Sequence, residues 1–151
     1  MKRWLCLLLV LLCSAALAAC GQHSPLESPK SSHVDGVSLD LERSFFSDFR
    51  IEGPLVCYDC HLELVNDSKE AKTVTFLGLA PQDVKTGLLR DEVMTCHAPD
   101  EQGEIADEPT VFVLEPGRHA LDVVLIGAHG SSDEKANRLL PEILIEPASP
   151  G

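Results

Sequence analysis

The longest regular pattern in the chain runs from Val56 to Val65, where Val56, Tyr58, Cys60, Leu62 and Leu64 alternate with Cys57, Asp59, His61 and Glu63. A period of two predicts a strand whose first set faces a core and whose second set faces solvent. Shorter stretches repeat the rhythm: Val37, Leu39 and Leu41, then Phe49 and Ile51, predict half-buried strands. Asn66 to Ala71 is a polar turn, and Lys72 to Leu79 resumes with Val74 and Phe76 on one face, so the two runs predict a hairpin. Pro81 to Leu89 suits one or two helical turns, because proline fits a first helical position and Gly87 weakens any continuation. Glu92 to His97 predicts a short strand. Thr110 to Leu114 and His119 to Gly127 predict two more, joined through Glu115-Pro116-Gly117-Arg118, where Pro-Gly marks a type II turn. Ser131 and Glu134 have capping-box spacing, which predicts a short helix before Pro141, and Ile143 to Glu146 predicts the last strand.

Seven or eight short strands in about 110 residues predict an all-β antiparallel sandwich, since consecutive hairpins leave no room for parallel crossovers. From Val37 to Pro147 the strand rhythm, with Glu115-Pro116-Gly117 before a long strand, resembles the small immunoglobulin-like modules of bacterial surface lipoproteins. The cysteine pair and tryptophan of antibody domains are absent from that stretch. No internal repeat and no second domain are read.

Ahead of the domain the pattern changes. Lys2 and Arg3 precede an apolar run from Trp4 to Leu17 broken only by Ser14. That suits a secretory signal and falls short of the roughly 20 residues a membrane-spanning helix requires. Leu17-Ala18-Ala19-Cys20-Gly21 then resembles the lipobox of bacterial lipoproteins. The resemblance implies a diacylglyceryl group on the Cys20 thiol, cleavage just before Cys20, and acylation of the new amino group. Two or three acyl chains hold a protein on a bilayer where one would not. The alternative is an ordinary secretory signal that leaves Cys20 a free thiol. Gly21 lacks the acidic side chain associated with inner-membrane retention, so the expected location is the extracytoplasmic face of the cell membrane, or the outer membrane of a two-membrane host. Gly21 to Gly36 holds two prolines, four serines and few apolar residues, which predicts a flexible tether with His23 and His33 solvated. The expected organisation is a signal peptide over 1–19, the lipidated cysteine and tether over 20–36, and the sandwich over 37–151.

Composition sharpens this once the leader is set aside. The whole chain has a formal net charge of -12, but residues 1–19 hold two of its twelve basic residues and no acid. The remainder sets 10 Lys+Arg against 24 Asp+Glu, a net charge of -14. So acidic a chain argues against binding nucleic acid or anionic membrane surfaces, both of which select basic patches. Its expected partners are the membrane, through the lipid, and an envelope or extracellular protein.

Of the six cysteines, Cys6 and Cys13 fall in the leader and Cys20 at the lipobox, which leaves Cys57, Cys60 and Cys96. Cys57-Tyr58-Asp59-Cys60-His61 matches C-x-x-C-H, the sequence through which c-type cytochromes attach haem. That resemblance implies thioethers at Cys57 and Cys60, His61 as proximal iron ligand and Met94 as a distal one. Yet the motif lies inside the best strand, where residues three apart point to opposite faces, so Cys57 and Cys60 diverge. A zinc site from Cys57, Cys60, His61, Cys96 and His97 meets a similar obstacle. Cys57 and His61 stand roughly 13 Å apart along a strand, whereas zinc donors converge to about 2.0–2.3 Å. The plain reading makes Cys60 a core residue and Cys57 partly exposed, with Cys96 either free or bonded to one of them.

No G-x-S-x-G, H-E-x-x-H or glycine-rich phosphate loop occurs, and His119 and His129 lack a diagnostic neighbour. The acids from Asp100 to Glu108 lack the rhythm of an EF-hand loop and read as solvated. The expectation is therefore a non-enzymatic binding or scaffolding module without a cofactor or metal. The alternative is a redox, haem or metal carrier built on Cys57, Cys60, His61 and Cys96.

Overall fold

A computed structural model describes residues 34–149. The leader, Cys20, His23 and His33 lie outside the described residues. Eight antiparallel strands account for most of the domain: β1 (Val37–Leu39), β2 (Phe45–Glu52), β3 (Leu55–Asn66), β4 (Lys72–Leu79), β5 (Val93–His97), β6 (Phe112–Leu114), β7 (Gly117–Ala128) and β8 (Glu142–Pro147). One short helix, α1 (Pro81–Thr86), starts on its proline and stops at Gly87, whose φ of 85° is left-handed and whose N–H donates to Val84. The all-β antiparallel sandwich is thus present, built as one continuous and nearly closed sheet rather than two separate ones.

Sheet order is β1-β3-β7-β5-β4-β6, with β2 also on β3 and β8 also on β4. β1 and β2 share one edge of β3, along Leu64–Asn66 and Leu55–His61. β7 takes the other edge over its whole length, from Leu55↔Ala128 to Asn66↔Gly117. β5 and β6 share one edge of β4, and β8 occupies the opposite edge.

The alternation of β3 does what its sequence predicts. Val56, Tyr58, Cys60, Leu62 and Leu64 are buried in one core with Val74 and Phe76 of β4, Met94 and Cys96 of β5, and Leu125 of β7. Asp59, His61, Glu63 and Val65 remain partly accessible on the other face. Val34 also packs against the core, and the Asp67 N–H donates to the Gly36 carbonyl, so Val34 to Gly36 is a packed turn.

Three expectations need correction. β3 and β4 do not pair as a hairpin, since β4 bonds β5, β6 and β8. Asn66 is 1% exposed and its amide donates to the carbonyls of Glu70 and Leu114, turning the chain from one layer to the other. β6 and β7 are likewise unpaired, so Pro116-Gly117 is a crossing between layers rather than a hairpin turn. No helix forms over 131–141, because tertiary acceptors take the donors a helix would use. Ser131 and Ser132 N–H donate to the Gly87 carbonyl, and Ala136 N–H donates to Asp83 Oδ1.

This 130–141 segment forms a strap. Its Lys135 Nζ donates to Asp83 Oδ2 at 3.0 Å with both side chains buried, while Tyr58 Oη donates to the same oxygen. The ammonium also sits 4.7 Å from the ring centroid of Phe46 and 4.4 Å from that of Tyr58. A Cβ at Gly130 would lie 2.2 Å from the Gly87 carbonyl oxygen, so only glycine lets the strap approach the helix end so closely.

Candidate binding groove

The outer face of the sheet departs from the polar-out rule at one end. Register sets Leu55 beside Ala128, Cys57 beside Ile126, and Asp59 beside Val124. On the far side of β7, Thr95 stands against Ile126 and His97 against Val124. These rows make a mostly apolar floor running Leu55–Ala128 and Cys57–Ile126–Thr95, with Val93 two residues before Thr95. The loop after β5 folds back over it and contributes Ile105, Ala106 and Asp107. The result is a half-open groove of about 520 Å³ whose remaining wall includes Glu52 and Asp91.

His97 holds that loop in place. It is 3% exposed, its Nδ1 lies 2.9 Å from the Ala106 carbonyl, and its Nε2 lies 2.8 Å from Thr95 Oγ1. A carbonyl only accepts, so Nδ1 carries the hydrogen; in the neutral ring Nε2 then accepts from the Thr95 hydroxyl. Thr95 and His97 meet because residues two apart on β5 share a face.

Cys57 lies on the groove floor and is 2% exposed, not partly exposed as expected, because the neighbouring strands and groove walls cover it. Burial pushes its thiol up, the Glu52 carboxylate adds to this, and the Arg50 guanidinium opposes it. Arg50 itself is engaged by Glu52 and Asp59, at 2.5 and 2.7 Å.

The remaining C-x-x-C-H residues go elsewhere. Cys60 enters the core, on the opposite face of β3 from Cys57, and burial pushes its thiol up to about 12. His61 shares the outer face with Cys57 but is tied to Asp122 at 2.7 Å and Glu63 at 3.2 Å, under a stacked Phe45 ring. Cys96 is a core residue, its thiol also pushed up to about 12 by burial, and Met94 is fully buried beside it in the cluster. Haem attachment as the motif implies it does not fit, because the two thiols leave the strand on opposite sides. No group of three or more His, Cys, Asp or Glu side chains gathers as a metal site among the described residues.

All three thiols are free. β7 lies between β3 and β5, so Cys57 or Cys60 stands two strand spacings from Cys96, about 9.6 Å, where a disulfide needs Cα atoms within about 7 Å. Both pairings left open by the sequence are thereby excluded in this sheet. His119 Nε2 lies 2.6 Å from the carbonyl of Glu115 in its own turn, and His129 contacts Ser132 and Asp133 of the strap. Asp100 Oδ1 accepts from the N–H groups of Gln102 and Glu104, fixing a turn in the exposed acidic loop.

Sequence reasoning missed the groove itself. Its signal was the unbroken run Val123-Val124-Leu125-Ile126, which a strand with one wet face would not carry. No family model matches the chain, and neither a curated protein nor a solved structure does. No helix among the described residues is long and apolar enough to cross a membrane.

Proposed function

We propose that the chain is a non-enzymatic binding module, immunoglobulin-like in organisation, lipidated at Cys20 and displayed on the extracytoplasmic face of a bacterial membrane. The observation that carries this reading is polarity along β3. The chain enters the domain through β1, whose Val37 pairs with Asn66 at one end of β3, whereas the groove lies at the other end around Leu55 and Cys57. Nine residues separate Cys57 from Asn66, about 30 Å at 3.3–3.4 Å per residue. A tether drawn from the β1 end therefore presents the groove away from its attachment point, which is what a displayed receptor requires. The Leu17-Ala18-Ala19-Cys20 lipobox supplies the attachment.

The redox and metal carrier reading loses its support with the divergence of Cys57 and Cys60. Growth of an expressing bacterium with radiolabelled palmitate tests the anchor. Label is expected on the wild-type chain in the membrane fraction and absent from Cys20→Ser. Label that persists in Cys20→Ser, or an unlabelled soluble wild type, overturns it.

A further inference from the structure

The polar groups that line the groove are almost all acceptors. Glu52, Asp91 and Asp107 place three exposed carboxylates around it, and no lysine or arginine lines it. Arg50, the nearest cation of β2, is spent on Glu52 and Asp59. His97 directs its Nδ1 hydrogen to Ala106, and the Thr95 hydroxyl has His97 Nε2 and the Ile126 carbonyl as its partners, so neither side chain turns a free donor into the groove. An anion entering here would meet carboxylates and no cationic side chain. Independently of the carboxylates, the floor holds a polar group with unmet capacity: Cys57 is 2% exposed, and its thiol has no hydrogen-bond partner among the described residues. Around it Leu55, Val93, Ile105, Ile126 and Ala128 offer apolar contact over a volume that accommodates a small organic molecule.

We infer that the groove binds a small organic cation, a protonated amine carried on an apolar body. The body lies on the Leu55, Ile126 and Val93 floor against Cys57, and the ammonium reaches the Asp91 and Asp107 rim. An ammonium has three donors and no acceptor, which complements an acceptor-only rim. Charge also distinguishes it from an alcohol or carboxylic acid of the same length.

This rests on the binding-module reading and names its ligand class, but it can fail separately. The full chain, taken in non-ionic detergent from whichever cell fraction yields it, is titrated with n-hexylammonium, 1-hexanol and n-hexanoate while backbone and imidazole NMR signals are followed. Saturable shifts at Thr95, His97 and Ile126 are expected with hexylammonium, with at least tenfold weaker binding of hexanoate and intermediate binding of hexanol. Asp91→Asn with Asp107→Asn, both at exposed positions without hydrogen-bond partners among the described residues, is expected to weaken hexylammonium at least fivefold at an unchanged melting temperature. Equal binding of hexylammonium and hexanoate, indifference to the double substitution, or shifts that never saturate overturns the inference. Loss of palmitate labelling with intact amine selectivity removes the anchor alone.

Discussion

His61 sits at the end of the C-x-x-C-H sequence, yet its partners are two carboxylates rather than a metal or haem. The hydrogen bond that the ring donates to Asp122 first, then the one it donates to Glu63, raises its pKa from the ordinary 6.5. A raised value means the imidazolium is favoured in the fold, so its contribution is complete below pH 6.5 and fades as pH rises through the folded value. The His61 ring signals are expected to titrate above 6.5 in a pH series followed by NMR, and Asp122→Asn is expected to bring the midpoint down. A midpoint unmoved by Asp122→Asn would mean that the pair does not persist in solution. The two cysteines that precede this residue differ by environment alone: Cys57 meets a groove, Cys60 a packed core, and one step in strand parity separates their fates.

At the scale of elements, the strap over 130–141 is held by a buried ion pair. Removing one partner of such a pair leaves an uncompensated buried charge and costs about 3–5 kcal/mol. Lys135→Met is therefore expected to destabilise by about 3 kcal/mol in urea unfolding, Tyr58 and the Ala136 N–H still serving Asp83. The double variant Asp83→Asn with Lys135→Met is expected to recover some of that loss. Burial pushes the Asp83 carboxyl up, but hydrogen bonds from Tyr58, Ala136 N–H and Lys135 outweigh it and leave the pKa below its usual 3.8. Stability from Asp83 is thus present above pH 3.8 and lost as pH falls through the folded value, so Asp83→Asn should flatten the acid limb of a stability profile. An acid limb identical in Asp83→Asn would overturn this assignment. None of the strap was legible in the sequence. Ser131 and Glu134 carry the local marks of a helix start, and only the distant Gly87 carbonyl and Asp83 carboxylate override them. β3 was legible because a strand with one dry face writes its own period, as Val56 to Leu64 does. Its partner was not, since a period fixes a face and says nothing about which edge meets which. The groove fell between the two: Val123 to Ile126 announced a strand covered on both sides, but the cover is a loop from the far end of β5.

For the whole molecule, the placement of β7 between β3 and β5 keeps Cys96 from Cys57 and Cys60, which strand parity sends to opposite faces of β3. A native disulfide in a small exported domain typically contributes about 2–5 kcal/mol, enough to move a melting temperature by several degrees. Here the melting temperature is expected to be the same with and without reductant, measured by circular dichroism on the full chain. A fall of several degrees on reduction would reveal a bond that the sheet order forbids. The length of β3 has a further consequence, this time mechanical. If the chain is held at the β1 end and a partner pulls at the groove, the load runs parallel to β3. Antiparallel ladder bonds lie perpendicular to the strands. Such a load crosses the three paired positions from β1 onto β3, and the twelve paired positions between β3 and β7 would then resist together in shear instead of unzipping pair by pair, so the strand that separates the β1 end from the groove would also bear the force between them.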